Sequence, residues 1–298
     1  MIIQQIDNVT YKLREKQDFS WLKQYGKVFS VVDETGSGCI CFGIRKDNKE
    51  FFYKIAGAKT VESELSEKES IELLKHSIQI YKDLSHENLI KLVDDFEYKE
   101  FYIAVFEYAN GDCLFDHWNF EKYKQDPTII TPKQRFNSLP KEKKLDVVYK
   151  LFSFFINTID KGYIAVDFYD SSIIYNFEDD TVSFCDIDLF RKAPTFNDRG
   201  VDYYGTKRLK APEENVLNAT IDERTNELTL AAIIFDMFSN VSNTNLRKEK
   251  GIFIPNDYSE FELSKETYDV LIKATSYNPD DRYQTIRLFK DAFIKSLQ

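Results

Sequence analysis

The alternation of apolar and polar positions predicts β-strands in the first third of the chain. Residues 27–58 contain three apolar or alternating runs, separated by polar breaks at 35–38 and 46–49, as strands joined by turns do. Two further runs, at 88–96 and 100–109, follow after an intervening segment. Together these runs predict a small antiparallel sheet.

Apolar residues at helical spacing predict helices, most of them later in the chain. Residues 67–84 show this spacing between the runs of the sheet, and two strongly apolar helices are predicted at 143–159 and 226–241. Shorter helices are predicted near 264–276 and 284–297. The later part of the chain is therefore predicted to be mostly helical.

The change from strands to helices near Asn110–Asp112 predicts a boundary, and ligand clefts commonly form at such boundaries. We predict an α+β, bilobal fold in one domain. Residues 28–110 would form a small antiparallel β-sheet lobe with one main helix, and residues 111–298 a mostly helical lobe. Residues 1–27 are predicted to be an N-terminal extension, and the polar stretch 115–142 a loop or an insertion.

Charge and composition narrow the classes of function. The net charge of −10 disfavours nucleic acid and anionic membrane as partners, because both need basic surface. The longest apolar run, 230–238, is too short to span a bilayer, and the N-terminus has no apolar stretch long enough for a secretion signal. The four cysteines and three histidines are scattered. We therefore expect no zinc site, and free thiols in the cytoplasm.

Two carboxylates interrupt the apolar run at 183–190, namely Asp186 and Asp188. In an extended chain, residues two apart lie on the same face. Two bare charges on one buried face are costly unless a positive group lies between them. A divalent metal ion is one such group, whereas in the alternative Asp188 turns to solvent or pairs with Lys192.

The order of these elements, with the residues at their joints, resembles the protein-kinase-like superfamily from about Val28 to Phe293. The turn Gly36-Ser37-Gly38 resembles the glycine-rich loop that covers ATP phosphates, although an ordinary hairpin turn is the alternative. Lys54 matches the lysine that neutralises those phosphates. The resemblance thus implies ATP as a cofactor.

The segment 105–112 resembles the hinge of the family, with a plain strand and turn as the alternative. The resemblance implies that the backbone of Glu107–Tyr108 binds adenine and that Asp112 accepts a hydrogen bond from a ribose hydroxyl. Further on, Glu213 and Arg282 match two residues that typically pair, which predicts a buried salt bridge between them.

The catalytic aspartate of the family, which orients the substrate hydroxyl, corresponds to Asp167. Cys185-Asp186-Ile187-Asp188 stands where the family has D-F-G. The resemblance implies that Asp186 holds Mg²⁺ or Mn²⁺, with Asp188 supplying the second contact that Ser172, in place of an asparagine, supplies poorly.

Three further positions depart from the pattern of the family. The helix glutamate that pairs with the phosphate lysine is Ser77 here, and Glu72 lies about 140° further around that helix. The arginine that receives a loop phosphate is Val166, so we do not expect loop phosphorylation to be the switch. The lysine that contacts the γ-phosphate is Tyr169.

Lys54 is therefore the cation that we identify beside the carboxylates expected around a triphosphate, which are Asp167, Asp170, Asp186 and Asp188. Such a site should repel ATP unless divalent metal is bound. Steep dependence on metal is predicted.

Three functions compete. The first is an ATP-dependent phosphotransferase that resembles a divergent, bacterial-type Ser/Thr protein kinase with D-I-D in place of D-F-G and acts on a protein or small-molecule hydroxyl. The second is a pseudokinase that serves as a scaffold, and the third is a small-molecule kinase of the aminoglycoside or choline type. The match at Glu213 and Arg282 speaks against the third, and the residues with direct chemical roles speak against the second.

Overall fold

A computed structural model describes the backbone of residues 1–298 and every side chain apart from that of His117. The chain divides into two compact units, of which the first comprises residues 1–85 and 89–110 and the second residues 86–88 and 111–298. Helices and antiparallel sheets are mixed, as predicted. Within the described residues, none of the helices has the length and the apolar character that crossing a membrane requires.

The first unit is an antiparallel sheet with one long helix. Its elements are β1 (Ile2–Ile6), β2 (Val9–Leu13), β3 (Lys27–Val32), β4 (Cys39–Lys46), β5 (Lys49–Ala56), α1 (Glu67–Asp83), β6 (Leu92–Tyr98) and β7 (Phe101–Glu107). The five strands from β3 onward form one sheet in the order β3-β4-β5-β7-β6. The predicted strands and the predicted helix are confirmed, although β6 begins at Leu92 and not at residue 88.

Local sequence explains where α1 begins and which face it buries. The hydroxyl of Ser66 accepts a hydrogen bond from the N–H of Glu69, and the Glu69 carboxylate accepts one from the N–H of Ser66, which is a capping box. Leu74 and Ile78 are buried on the face that packs against β5 and β7. Ser77 lies on this buried face too.

Residues 1–27 are part of the core of the first unit, which the sequence pattern did not show. β1 pairs with β2 as a hairpin, and the rings of Tyr11 and Phe19 contact the ring of Phe42 with centroids 5.5 and 5.4 Å apart. Phe19 also contacts Phe101 at 5.2 Å. The extension therefore packs aromatic side chains against one face of the sheet.

The second unit contains the remaining elements. They are β8 (Asp112–Cys113), α2 (Phe120–Gln125), α3 (Pro132–Asn137), α4 (Lys141–Asp160), β9 (Tyr163–Ile164), β10 (Ile173–Asn176), β11 (Thr181–Phe184), β12 (Arg191–Lys192), β13 (Thr195–Phe196), β14 (Thr220–Ile221), α5 (Glu223–Met237), α6 (Thr244–Lys250), α7 (Lys265–Ala274) and α8 (Ile286–Ser296). The four helices predicted after residue 142 are confirmed as α4, α5, α7 and α8.

Helix α5 is the centre of the second unit. Every residue from Thr225 to Met237 is buried, as expected for a helix that is apolar on most of its circumference. Its buried polar residues are bonded to surrounding segments. Glu227 accepts a hydrogen bond from the N–H of Tyr283 at 2.8 Å, and burial raises the pKa of Glu227 to about 9.

Candidate functional site

The loop that carries Asp167 follows β9 and is held by helix α5. The N–H of Ala165 donates to Oδ1 of Asn226 at 2.8 Å, and Nδ2 of Asn226 donates to the carbonyl of Ala165 at 2.6 Å. Asn226 is fully buried, so these bonds are not exchanged with water. Sequence reasoning missed this residue, because a single asparagine within an apolar helix carries no spacing signal.

Asp167 and Asp186 both have left-handed backbone conformations. Their φ angles are +61° and +57°, which residues with a side chain adopt at an energetic cost. Such conformations persist where the surrounding structure enforces them, and they cluster at functional sites. The two aspartates that the sequence singled out as catalytic and metal-binding thus share this conformation.

The charges of these two residues interact. Burial and the charge of Asp186 together raise the pKa of Asp167 to about 7, and the positive charge of Lys210 opposes this rise. Burial, followed by the charges of Asp186 and Asp167, also raises the pKa of Tyr169. The three side chains therefore lie close together, and a positive ion between the carboxylates would relieve their repulsion.

The segment that carries Asp186 and Asp188 is not extended, although the prediction of a shared metal contact assumed that it is. Strand β11 ends at Phe184, so the following residues are not extended as the prediction assumed. Asp186 is exposed, whereas Asp188 is buried, with 8% of its surface accessible. The extended arrangement that would place both carboxylates on one face is therefore absent, and Asp188 does not turn to solvent. A contact of Asp188 with metal stays a prediction.

Ser172 is fully buried between the two loops of the site. Its hydroxyl accepts a hydrogen bond from the N–H of Tyr169 at 3.4 Å, and its carbonyl accepts one from the N–H of Cys185 at 3.0 Å. It links the loop of Asp167 to the segment that leads to Asp186. A direct contact of Ser172 with metal stays a prediction.

A divalent ion fits the exposed carboxylate of Asp186 beside Asp167. Oxygen ligands suit Mg²⁺ and Mn²⁺, and Mg²⁺ is commonly held by one or two carboxylates together with water and phosphate oxygens. Among the described side chains, no group of three or more His, Cys, Asp or Glu is placed to hold a metal. The fit therefore depends on oxygens that a nucleotide would contribute.

Asp170 does not face a ligand, contrary to the prediction that four carboxylates surround a triphosphate. It is 2% exposed and pairs with Arg208, and the Nζ of Lys133 lies 3.9 Å from its carboxylate. Arg208 also lies 3.7 Å from Asp236, which receives two hydrogen bonds from Arg247. The charge of Asp170 is used within this buried ionic cluster.

The predicted salt bridge between Glu213 and Arg282 is confirmed. The guanidinium donates to both carboxylate oxygens, at 2.6 and 2.9 Å, and Thr225 of α5 donates to Glu213 at 2.8 Å. Thr206 and Lys210 of the preceding segment line a small pocket of about 10 Å³, together with Asp167 and Glu214. Burial raises the pKa of Glu214 to about 8.

The turn Gly36-Ser37-Gly38 joins β3 to β4, and its two glycines differ. A Cβ atom on Gly38 (φ +70°) would lie 2.8 Å from the Cβ of Ser70 on α1, whereas a Cβ on Gly36 would have no neighbour within 4 Å. Packing inside the first unit therefore requires a glycine at 38. It does not require one at 36, where close approach of a ligand would be a reason for it.

Lys54 lies in β5, paired with Cys41 on one side and Ala104 on the other. The position on α1 where the family has a glutamate is Ser77, whose hydroxyl donates to the carbonyl of Leu74 at 2.9 Å. Glu72 is exposed. Its predicted orientation away from the buried face of α1 is thus confirmed.

The backbone N–H groups at the predicted adenine contact already donate hydrogen bonds within the protein. The N–H of Glu107 donates to the carbonyl of Lys91 at 2.9 Å, and the N–H of Tyr108 donates to the carbonyl of Glu50 at 3.1 Å. A base at this position would therefore have to use the carbonyl oxygens of Glu107 and Tyr108. Asp112 is exposed at the start of β8, where its carboxylate is accessible.

No protein-family model matches the chain. The chain is 24% identical over 239 residues to "Calcium-dependent protein kinase 5" of Plasmodium falciparum (isolate 3D7), covering 77% of this chain and 39% of that protein. It is 46% identical over 50 residues to "Myosin light chain kinase 3" of Rattus norvegicus, covering 17% of this chain and 6% of that protein. The chain thus spans well under half the length of either relative, and these similarities support its resemblance to the protein-kinase-like superfamily.

Proposed function

We propose that the protein is an ATP-dependent phosphotransferase that transfers the γ-phosphate to a hydroxyl of a protein or a small molecule with the help of Mg²⁺ or Mn²⁺. The observation that carries the proposal is the proximity of Asp167 and Asp186. Both have left-handed conformations, and the charge of Asp186 adds to burial in raising the pKa of Asp167. The two similar proteins are kinases by name, which supports the same chemistry.

In this proposal, Asp167 accepts a hydrogen bond from the substrate hydroxyl and orients its oxygen toward the γ-phosphorus. Asp186 would hold the metal ion, which neutralises phosphate charge when it is bound. The nucleotide would be held by Lys54, the turn Gly36-Ser37-Gly38, the carbonyls of Glu107–Tyr108 and the carboxylate of Asp112. Catalysis would then consist mainly of positioning and electrostatic stabilisation.

The type of kinase is also part of the proposal. The bidentate Glu213–Arg282 salt bridge supports a divergent Ser/Thr protein kinase with D-I-D in place of D-F-G, because small-molecule kinases of the resembled families generally lack this pair. We further propose a cytoplasmic protein without nucleic-acid, membrane or zinc partners, on the basis of its net charge of −10 and its scattered cysteines and histidines.

Metal-dependent nucleotide binding and turnover test this function. We would measure ATP affinity and phosphoryl transfer, each titrated with Mg²⁺ and Mn²⁺, for the wild type, Asp167→Ala, Asp186→Asn and the control Asp291→Asn, which changes an exposed carboxylate on α8. We expect Asp167→Ala to abolish transfer and keep ATP binding, and Asp186→Asn to lose the metal dependence of binding. The control should match the wild type. A wild type that neither binds ATP with metal nor turns it over would refute the proposal.

A further inference from the structure

The cavity beside Asp167 contains a cation that sequence reasoning did not find. Lys210 and Asp167 line the same small pocket, of about 10 Å³, together with Gly205, Thr206 and Glu214. Burial lowers the pKa of Lys210, and the charges of Glu214 and then of Asp167 oppose this lowering. The charge of Lys210 in turn opposes the rise in the pKa of Asp167 that burial and Asp186 cause. The ammonium group thus lies within electrostatic reach of the proposed catalytic carboxylate.

The three basic residues of the segment 205–210 differ in where their side chains lie. Lys207 is exposed to solvent. Arg208 is buried and pairs with Asp170 and Asp236. Lys210 is 4% exposed and lines the cavity, so it is the residue of this segment whose charge faces the space next to Asp167.

Lys210 is held both at its backbone and at the end of its side chain. Its carbonyl accepts a hydrogen bond from the N–H of Phe253 at 2.8 Å, and its Nζ donates to the carbonyl of Tyr203. Its methylene groups pack on Gly205 (φ +113°), where a Cβ atom would lie 3.3 Å from Cε of Lys210. An ammonium group has three N–H donors, so the bond to Tyr203 leaves donors for a ligand, held in place beforehand.

We propose that Lys210 supplies the positive charge that faces the transferred phosphoryl group beside Asp167, in place of the lysine that the resembled family has where this chain has Tyr169. This inference rests on the proposed function. Tyr169 lies close enough to Asp186 and Asp167 for their charges to raise its pKa, in addition to burial. Positions 169 and 210 thus lie on different segments, each near the carboxylate of Asp167. A cation is needed there because negative charge on the phosphoryl oxygens must be stabilised as the group moves.

In this step, the bond between the γ-phosphorus and the bridging oxygen of ATP breaks as a bond from the acceptor oxygen to the phosphorus forms. The proton of the acceptor hydroxyl passes to the carboxylate of Asp167, and ADP leaves with the electron pair of the broken bond. Lys210 donates hydrogen bonds to phosphoryl oxygens and keeps its own proton. The charge that it contributes acts mainly in the transition state, so its loss should lower kcat more than it raises KM.

The test compares charge-free and charged substitutions at 210. We would measure kcat and KM for ATP with Mg²⁺, and thermal unfolding, for Lys210→Gln, Lys210→Arg and the control Lys207→Met. Glutamine keeps an N–H donor for the carbonyl of Tyr203 and removes the charge, and Lys210→Met is a second charge-free variant if Lys210→Gln does not fold. We expect kcat to fall about 10- to 100-fold with glutamine, to stay within about 5-fold with arginine, and to be unchanged for the control.

A second-site substitution separates a catalytic charge from a structural contact. Tyr169→Lys should restore turnover at least about 10-fold in the Lys210→Gln background, since it returns a cation to the same carboxylate from the other side. A structural role of Lys210 would not be rescued in this way. Turnover that is unchanged in Lys210→Gln, or lost without rescue by either Lys210→Arg or Tyr169→Lys, overturns the inference while the proposed function stands. A wild type without metal-dependent turnover overturns both.

Discussion

The buried pair of Glu213 and Arg282 gives a prediction for the stability of the second unit. The guanidinium of Arg282 is 0% exposed and the carboxylate of Glu213 is 8% exposed. Besides the two bonds to Glu213, Arg282 donates to the carbonyls of Arg224 at 3.0 Å, Ser276 at 2.8 Å and Tyr277 at 3.3 Å. Arg282→Met removes all of these bonds and leaves a buried carboxylate without its counter-ion.

The expected loss follows from this geometry. Removal of one partner from a buried, hydrogen-bonded ion pair costs about 3–5 kcal/mol, because the remaining charge is not solvated. For a chain of this size, each kcal/mol corresponds to about 2 °C, so the melting temperature should fall by about 6–10 °C. The exposed pair of Arg287 and Asp160, with side chains 54% and 50% exposed, is the matched control. Arg287→Met should cost less than about 1 kcal/mol.

Urea and thermal unfolding, followed by circular dichroism at pH 7, measure both variants under the same conditions. The double variant Glu213→Gln/Arg282→Met should lose less than the sum of the two single variants, because the unpaired charge has been removed. A loss for Arg282→Met no larger than for Arg287→Met would refute the reasoning. Strict additivity in the double variant would show that the two charges do not depend on each other.

Two further predictions concern Asp167 and the glycine turn. Burial and the charge of Asp186 raise the folded-state pKa of Asp167 to about 7, above its value in the unfolded chain. Ionisation of this carboxyl therefore destabilises the folded state. Its contribution to stability is fully present below pH about 4 and is lost as the pH rises to about 7. Asp167→Asn should therefore raise the free energy of unfolding of the metal-free protein at pH 8 by up to about 4 kcal/mol, and its unfolding temperature with it. The gain should vanish near pH 4. An equal gain at both pH values would contradict this origin. Gly38→Ala should cost about 1–3 kcal/mol because its Cβ meets Ser70 in a left-handed conformation. Gly36→Ala, where nothing lies within 4 Å, should leave unfolding unchanged and weaken ATP binding, and equal stability losses in thermal denaturation would show that this distinction is wrong.

The elements that were predicted correctly from the sequence are those long enough to repeat their apolar spacing several times. Helices α4 and α5 and the five-stranded sheet have enough apolar positions to show their spacing. α2, α3 and α6 have six, six and seven residues, which is less than two full periods of an apolar stripe. The hairpin β1–β2 was missed because most of its ten residues are not buried, so they need not alternate.

The spacing of residues along the chain predicted only those parts of the candidate site that belong to sequence motifs. Asp167, Asp186 and the Glu213–Arg282 pair follow from motifs. The burial of Asp188 could not be predicted, because it depends on where β11 ends and on the left-handed turn at Asp186. Asn226 and Lys210 act through contacts with segments far along the chain, and no local pattern reports such contacts.

The bonds between Asn226 and Ala165 join the proposed catalytic loop to the most deeply buried helix of the second unit. An amide held in this way exchanges its hydrogen with solvent only when the core itself opens. The loop of Asp167 is therefore not an independent flexible part, and heat or denaturant should not disable it ahead of the unit that carries it. Loss of the catalytic geometry and loss of the core should be one event with one midpoint.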